Sequence, residues 1–399
     1  TLEQNYRSTA PILAAAGDLI AANSGRRGKR LFTERAGGEP VSLHLADDER
    51  GEARWVADLI ESTAHRTPLG EIAVLLRTNA QTRPFEEELT RRRLPYRVIG
   101  GLRFWQRAEI KDALAYLRLV GRPDDTLSFE RVVNVPARGI GAVAVDCLQR
   151  AALAQGVPLT EAARRLPEAL SPRARTALER FFRLLEEAAD RRAELEPGDF
   201  VGWLLEASGL LALYDGEAED RVARRENLQQ LAAAVAEAAA RGQELDELLD
   251  AVALLEEGDD ETAADAVSLM TLHAAKGLEF ELVVVAGLED GLLPHASSRD
   301  EPAGLEEERR LAYVGMTRAR RRLALTAARS RFLFGQRQPT RPSRFLDDLG
   351  PGAVEGPSAL SAWQSPAPTP RLRAAQPAPR AAAPVPARRG TVAPAPTAV

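Results

Sequence analysis

Arginine is well suited to gripping phosphate, because its planar guanidinium donates parallel hydrogen bonds to one oxyanion group. Between Thr317 and Arg331 this chain carries six arginines and no acid. That run reads as a site for polyanions. Just upstream, two short apolar segments, Val267–Met270 and Leu282–Ala286, flank a polar turn, Thr271–Glu279, holding His273, Lys276 and Glu279. Short apolar runs bounded by polar or glycine residues suit buried parallel strands. Ligands of open α/β sheets collect outside the carboxyl ends of such strands, where Thr271 would stand. At the start of the chain, Tyr6 offers an aromatic face for a base and Arg7 a fork for phosphate. Equally, Asn5-Tyr6-Arg7 could do no more than lead into a helix over Thr9–Asn23, begun by Ser8 or Thr9.

The elements that must position these groups alternate. Strands are expected at Val41–Ala46, Ile72–Arg77 and Tyr96–Gly100, with helices at Glu49–Ala64 and Thr82–Arg93 between them. Such alternation points to parallel βαβ units. From 107 to 263 strand signals vanish, and Ala, Leu, Glu and Arg recur at helical spacing, as in Ile110, Leu114, Leu117 and Val120. Helical spacing continues over Leu228–Ala240 and Leu245–Leu255, and strand patterning resumes at Val267. A helical domain inserted into an α/β domain follows. The pattern next predicts a helix over Glu306–Ala319, with Glu306, Glu307 and Glu308 in its first turn and Arg318 near its last. Leu323–Ala327 reads as the last strand.

Inside the helical region, the turn Val135–Gly141 carries Arg138, Gly139, Ile140 and Gly141. A glycine turn between helices exposes backbone N–H groups that can grip phosphate, or it serves packing alone. Two features carry no chemistry. Ser24–Arg30 lacks the spacing of a phosphate loop, and no other such loop is found. Without one, Glu289-Asp290 is no magnesium-holding strand end.

Three segments together resemble the fourth, fifth and sixth motifs of UvrD/Rep/PcrA-type superfamily-one DNA helicases: LEQNYRS at the start, TLHAAKGLE at Thr271–Glu279, and VGMTRA ending in Arg318 and Ala319. Arg77–Arg83 and Gly100–Trp105 resemble two further family segments that lie along the single-stranded DNA track, and Pro342–Leu346 the closing PSRFL. The resemblance covers Leu2 to about Leu349. It implies the C-terminal half of an ATP-dependent 3′-to-5′ helicase. This half is a RecA-like parallel-sheet domain (1–106 and 264–349) interrupted by an all-helical domain (107–263), with a disordered Pro/Ala-rich tail (350–399). Carried over, Tyr6 stacks on adenine, Arg7 and Arg318 reach the γ-phosphate, and Glu279 holds the ribose. Arg77, Asn79, His273, Lys276 and Phe334 meet single-stranded DNA, while Arg138, Gly139, Ile140 and Gly141 meet duplex. Mg2+ and the catalytic base belong to an absent N-terminal half, without which the chain is expected not to hydrolyse ATP. Two alternatives stay open: a non-catalytic DNA-binding or regulatory protein on this fold, and the helicase part of a RecB-like nuclease.

The bulk numbers agree. A net charge of −5 argues against electrostatic coating of nucleic acid, so DNA binding must come from local patches. The lone Cys147 excludes an internal disulfide and fits a reducing cytoplasm. His44, His65, His273 and His295 are too dispersed to suggest zinc, and no apolar run reaches the length of a membrane span. The expected partners are single-stranded DNA, single/double-strand junctions, and repair or replication proteins.

Overall fold

The computed structural model describes residues 4–24, 32–35, 37–256, 265–333, 336–350 and 352–355. A seven-stranded sheet positions everything else. Its strands are β1 (Val41–Ala46), β2 (Ile72–Leu76), β3 (Tyr96–Ile99), β4 (Val267–Thr271), β5 (Phe280–Val285), β6 (Ala319–Ala328) and, after the antiparallel hairpin β7 (Ser330–Leu333) and β8 (Gln336–Pro339), β9 (Val354–Glu355). The spatial order is β3-β4-β2-β5-β6-β1-β9, and every neighbouring pair is parallel.

Strand β2, IAVLL, is buried along its whole length because both faces are covered. Ala73 and Leu75 face the cluster that includes Ile12 and Leu19 of α1 (Ala10–Ala21). Ile72, Val74 and Leu76 face the opposite cluster, built with α2 (Glu49–Ala64) and α3 (Thr82–Arg91). Helix α2 begins where expected because the Asp48 side chain accepts from Gly51 N–H at 2.7 Å, an N-cap next to an amphipathic run.

The helical region lies between β3 and β4, which are neighbours in the sheet. It comprises α4 (Ala108–Gly121), α5 (Thr126–Val132), α6 (Ala142–Gln155), α7 (Leu159–Arg164), α8 (Pro172–Glu194), α9 (Pro197–Ala207), α10 (Leu210–Leu213), α11 (Glu219–Ala240) and α12 (Leu245–Glu256). These helices share their own hydrophobic cluster, centred on Tyr116, Phe129, Phe181 and Phe182. Helix α11 ties them to the sheet layer by polar contacts. Glu237 meets buried Arg83, Asn227 accepts from Arg107 at 2.7 Å, and Glu226 meets His295 at 3.1 Å.

The C-terminal segments depart from expectation. Helix α13 spans Pro302–Met316, so Glu306–Glu308 sit in its second turn and Arg318 follows its end. Its start is marked by Pro302, whose fixed φ and missing N–H suit a first helical position. Ala319, expected to close the helix, opens β6, and Arg320, Arg321 and Arg322, between the expected helix and the expected strand at Leu323, lie on β6 as well. Pairing with β5, Phe280 to Ala319 and Leu282 to Arg322, overrides arginine's helical preference. Strand β6 is not the last one either: the hairpin follows, and β9 pairs with β1 at Val41 and Ser42, beyond the expected start of the tail. Residues 356–399 and most of the basic loop 24–30 fall outside the described residues.

Candidate functional site

Two carbonyl clamps bring the chain's start to the first residues of β6, just after α13. The Ser8 hydroxyl donates to Ala319 O at 2.7 Å, and Thr9 N–H donates to Arg320 O at 3.1 Å. Asn5 Oδ1 accepts from the N–H groups of Arg7 and Ser8, at 2.8 and 2.9 Å, and so shapes the loop. Tyr6 projects from that loop with 73% of its surface exposed, its hydroxyl donating to Gln4 at 2.7 Å. Arg7 Nε lies 2.8 Å from Glu279 Oε1.

Arg318 enters the same small volume from the turn after α13. Its Nε donates to Val314 O at 3.0 Å and its NH1 to Leu278 O at 3.2 Å, which fixes the guanidinium beside Glu279. Burial lowers the Arg318 pKa and the charge of Arg7 lowers it further, against the opposing pull of Glu279. The structure therefore gathers the guanidinium groups of Arg7, Arg318 and Arg320 at one carboxylate. For Glu279 burial acts upward, but the Arg7 and Arg320 guanidinium groups outweigh it and hold the carboxyl below its usual range. Close packing supports the corner: a Cβ on Gly315 would come within 2.3 Å of Leu272 Cδ2, so α13 sits directly against the Thr271–Glu279 turn.

That turn presents a second group of residues on its other side. Thr271 Oγ1 accepts from Ala274 N–H at 3.3 Å, Gly277 takes φ of +88°, and His273 and Lys276 are exposed. The loop after β3 lies against it, with Gly100 3.5 Å from the Ala274 methyl and Gly101 3.7 Å from Asn79 Oδ1, both measured from a Cβ built on the glycine. Asn79, His273 and Lys276 are thus brought to one edge. Phe334 lies outside the described residues.

Other arginines of the sequence reading are spent on structure. Arg77 pairs with Glu308 on α13 through Nε at 3.0 Å and NH2 at 2.8 Å, and both side chains are largely buried. Arg331 is buried between Glu52 and Glu289, and Arg320 is shared among Glu279, Glu71 and Glu281. The run from Thr317 to Arg331 is therefore no continuous polyanion site; Arg318 is the member aimed at the corner. Glu289 is taken by Arg331, and Asp290 by Arg344 at 2.8 Å. Among the described residues no group of three His, Cys, Asp or Glu side chains could hold a metal ion.

The glycine turn is remote from the cluster in sequence and is braced from within. Asn134 Oδ1 accepts from the N–H groups of Arg138, Gly139 and Ile140, at 2.7, 3.1 and 3.1 Å. Arg138 donates to Pro136 O and Ser208 O and stacks over Tyr116 and Phe181, while Ile140 is buried. Only Gly141, at the uncapped start of α6, keeps open space around it, with exposed Val143 beyond.

Comparison with known proteins settles the family. Residues 1–330 match the model of the UvrD-like helicase C-terminal domain. The chain belongs to that family. It is 44% identical over 365 residues to DNA helicase II of Escherichia coli, covering 89% of this chain and 51% of that protein. It is 39% identical over 398 residues to the ATP-dependent DNA helicase UvrD1 of Mycobacterium tuberculosis, covering 94% and 51%. With the ATP-dependent DNA helicase PcrA of Bacillus subtilis it shares 40% over 368 residues, covering 89% and 50%. The chain spans about half the length of these relatives.

Within this UvrD-like domain, sequence reasoning missed Asn134 and Arg320, and it named Ser8 and Glu308 only for their place on a helix. Each acts through a partner distant in the chain or through a backbone group, and no local spacing marks it. Asn134 alone left a signal, a side chain able to cap a turn four residues before Arg138.

Proposed function

We propose that this chain supplies the second face of the ATP cleft of a 3′-to-5′ DNA helicase, together with part of its DNA track. The observation that carries the reading is the convergence of Arg7 and Arg318 beside Glu279, with Tyr6 exposed next to them. Two guanidinium groups held close together, with one carboxylate between, suit a polyphosphate entering from an opposing domain. Tyr6 stacks on adenine, Arg7 and Arg318 meet the γ-phosphate, and Glu279 takes the ribose. Arg318 acts as the arginine finger, placing positive charge where negative charge develops in phosphoryl transfer.

Magnesium bound in such a cleft would neutralise charge on the phosphates. The acids here do not fit it, because Glu289 and Asp290 are each held by an arginine; the metal and the catalytic base belong to the N-terminal half. His273, Lys276, Asn79 and Phe334 contact single-stranded DNA. The turn around Gly139 and Gly141 contacts duplex, with Arg138 and Ile140 shaping it. Arg77 acts on the track through Glu308. The division that goes with this reading is a sheet domain (1–106 and 264–349, extended by β9), an inserted helical domain (107–263) and a tail after β9, supported by the separate hydrophobic cluster of the helices. Junctions of single and double strands are the substrate, and the cytoplasm is the site of action.

The test is ATP turnover by the purified chain alone, with and without DNA. None is expected, since half the phosphate-binding groups are lacking. DNA-stimulated hydrolysis that survives Arg318→Ala would overturn the reading.

A further inference from the structure

Glu279 has two carboxylate oxygens, and each faces a different arginine. Oε2 accepts an aligned hydrogen bond from Arg320 Nε at 3.2 Å. Oε1 lies 2.8 Å from Arg7 Nε, a close ion pair whose buried N–H is poorly aligned on the oxygen. The poorly aligned contact is the more easily exchanged of the two. Arg320 is also the more firmly placed. Its NH1 reaches Glu71 at 3.3 Å and Glu281 at 3.6 Å, so three carboxylates surround one guanidinium. Its backbone is fixed on β6, where its carbonyl receives Thr9 N–H. The backbone of Arg7 is likewise held, through Asn5 and Arg35, whereas its side chain leans on Glu279.

Resting on the nucleotide assignment above, we propose that Arg320 is a positioning residue that anchors Glu279 by Oε2 while Arg7 exchanges Oε1 for phosphate. In the empty cleft Glu279 parks Arg7. An arriving γ-phosphate, carrying more charge than one carboxylate, draws Arg7 away. Oε1 is then freed and accepts a hydrogen bond from a ribose hydroxyl. Arg320 keeps the carboxylate from following Arg7, because its remaining donors stay on Glu71 and Glu281. Ribose recognition thereby becomes conditional on phosphate capture, and a nucleoside lacking the phosphates meets an occupied Oε1.

The experiment compares Arg320→Gln, Arg320→Lys and Glu279→Gln in the full-length helicase, measuring kcat and KM for ATP and for 2′-deoxy-ATP with single-stranded DNA present. Arg320→Gln is expected to raise KM for ATP about tenfold, the loss that goes with one charged hydrogen bond. It should change kcat far less and narrow the preference for ATP over 2′-deoxy-ATP. Arg320→Lys should restore both KM and the preference, since an ammonium still holds Oε2. If Arg320→Gln leaves KM and the preference unchanged, the anchoring role is wrong while the nucleotide assignment stands. If Glu279→Gln also leaves both unchanged, Glu279 does not meet the ribose, and both the anchor and that part of the assignment fall. Loss of kcat alone, not rescued by lysine, overturns the anchor as well.

Discussion

Arg77 and Glu308 form a bidentate ion pair that joins the end of β2 to α13, with Nε at 3.0 Å and NH2 at 2.8 Å from the carboxylate oxygens. The same carboxylate accepts His295 N–H at 3.0 Å, and the His295 ring reaches Glu226 on α11 at 3.1 Å. One buried acid thus connects the helix that leads into Arg318 with the helical region.

Removing Arg77 should therefore act on stability before it acts on DNA. Breaking a buried pair leaves an uncompensated charge and costs about 3 kcal/mol. Arg77→Ala is expected to lower the urea midpoint accordingly, and Glu308→Leu added to it should recover part of the loss. An unchanged midpoint combined with weakened single-strand affinity would show that Arg77 faces DNA instead.

The seam between α2 and α11 gives a pH dependence. Burial raises the Glu49 carboxyl from an ordinary 4.5 to about 7, with a backbone hydrogen bond and Arg331 pulling down and Glu237 pushing up. For Glu237 burial also acts upward, but Arg83 and Arg50 hold it well below its usual range. Because its folded value is raised, the Glu49 contribution is complete below 4.5 and is lost as pH climbs to about 7. Glutamine keeps the acceptor for Phe332 N–H, 3.1 Å away, and stays neutral. Glu49→Gln should thus gain about 2 kcal/mol on the native chain between pH 5 and 8. A constant difference in denaturant-derived stability across that range would contradict the raised Glu49 carboxyl.

Much of this was readable in the chain. β1 and α2 fall where expected because Pro40, Asp47 and Asp48 punctuate them clearly. The corner of Arg7, Glu279 and Arg318 was legible through three motifs in order. Less legible was anything decided by a partner far along the chain. The end of α13 looks helical through Ala319 until β5 pairs with that residue, and the start of α13 follows Pro302 rather than its acids. Arg77 looks available until Glu308 is seen.

The glycine turn separates packing from contact. Gly139 has φ of +85° and a bracing N–H to Asn134, so Gly139→Ala and Asn134→Ala should each cost about 1 kcal/mol or more of stability. Gly141 has φ of −81° and open surroundings, so alanine there should fold normally. Its added methyl would still hinder a phosphate at the start of α6. Duplex affinity of Gly141→Ala at fixed salt is expected to fall several-fold. Unchanged affinity would leave the turn a packing device.

Arg318 decides the account. It is held by Val314 O and Leu278 O, with Arg7 as its charged neighbour, and so is already fixed in the proposed nucleotide corner. An arginine finger contributes roughly a thousandfold or more to turnover. Lysine should rescue poorly, because a point charge cannot replace the planar fork. The measurement is DNA-stimulated ATPase of the full-length helicase carrying Arg318→Ala or Arg318→Lys, alongside single-strand affinity. Turnover should fall roughly a thousandfold in Arg318→Ala, with single-strand binding retained; near-normal turnover in either variant would show that Arg318 is not the finger.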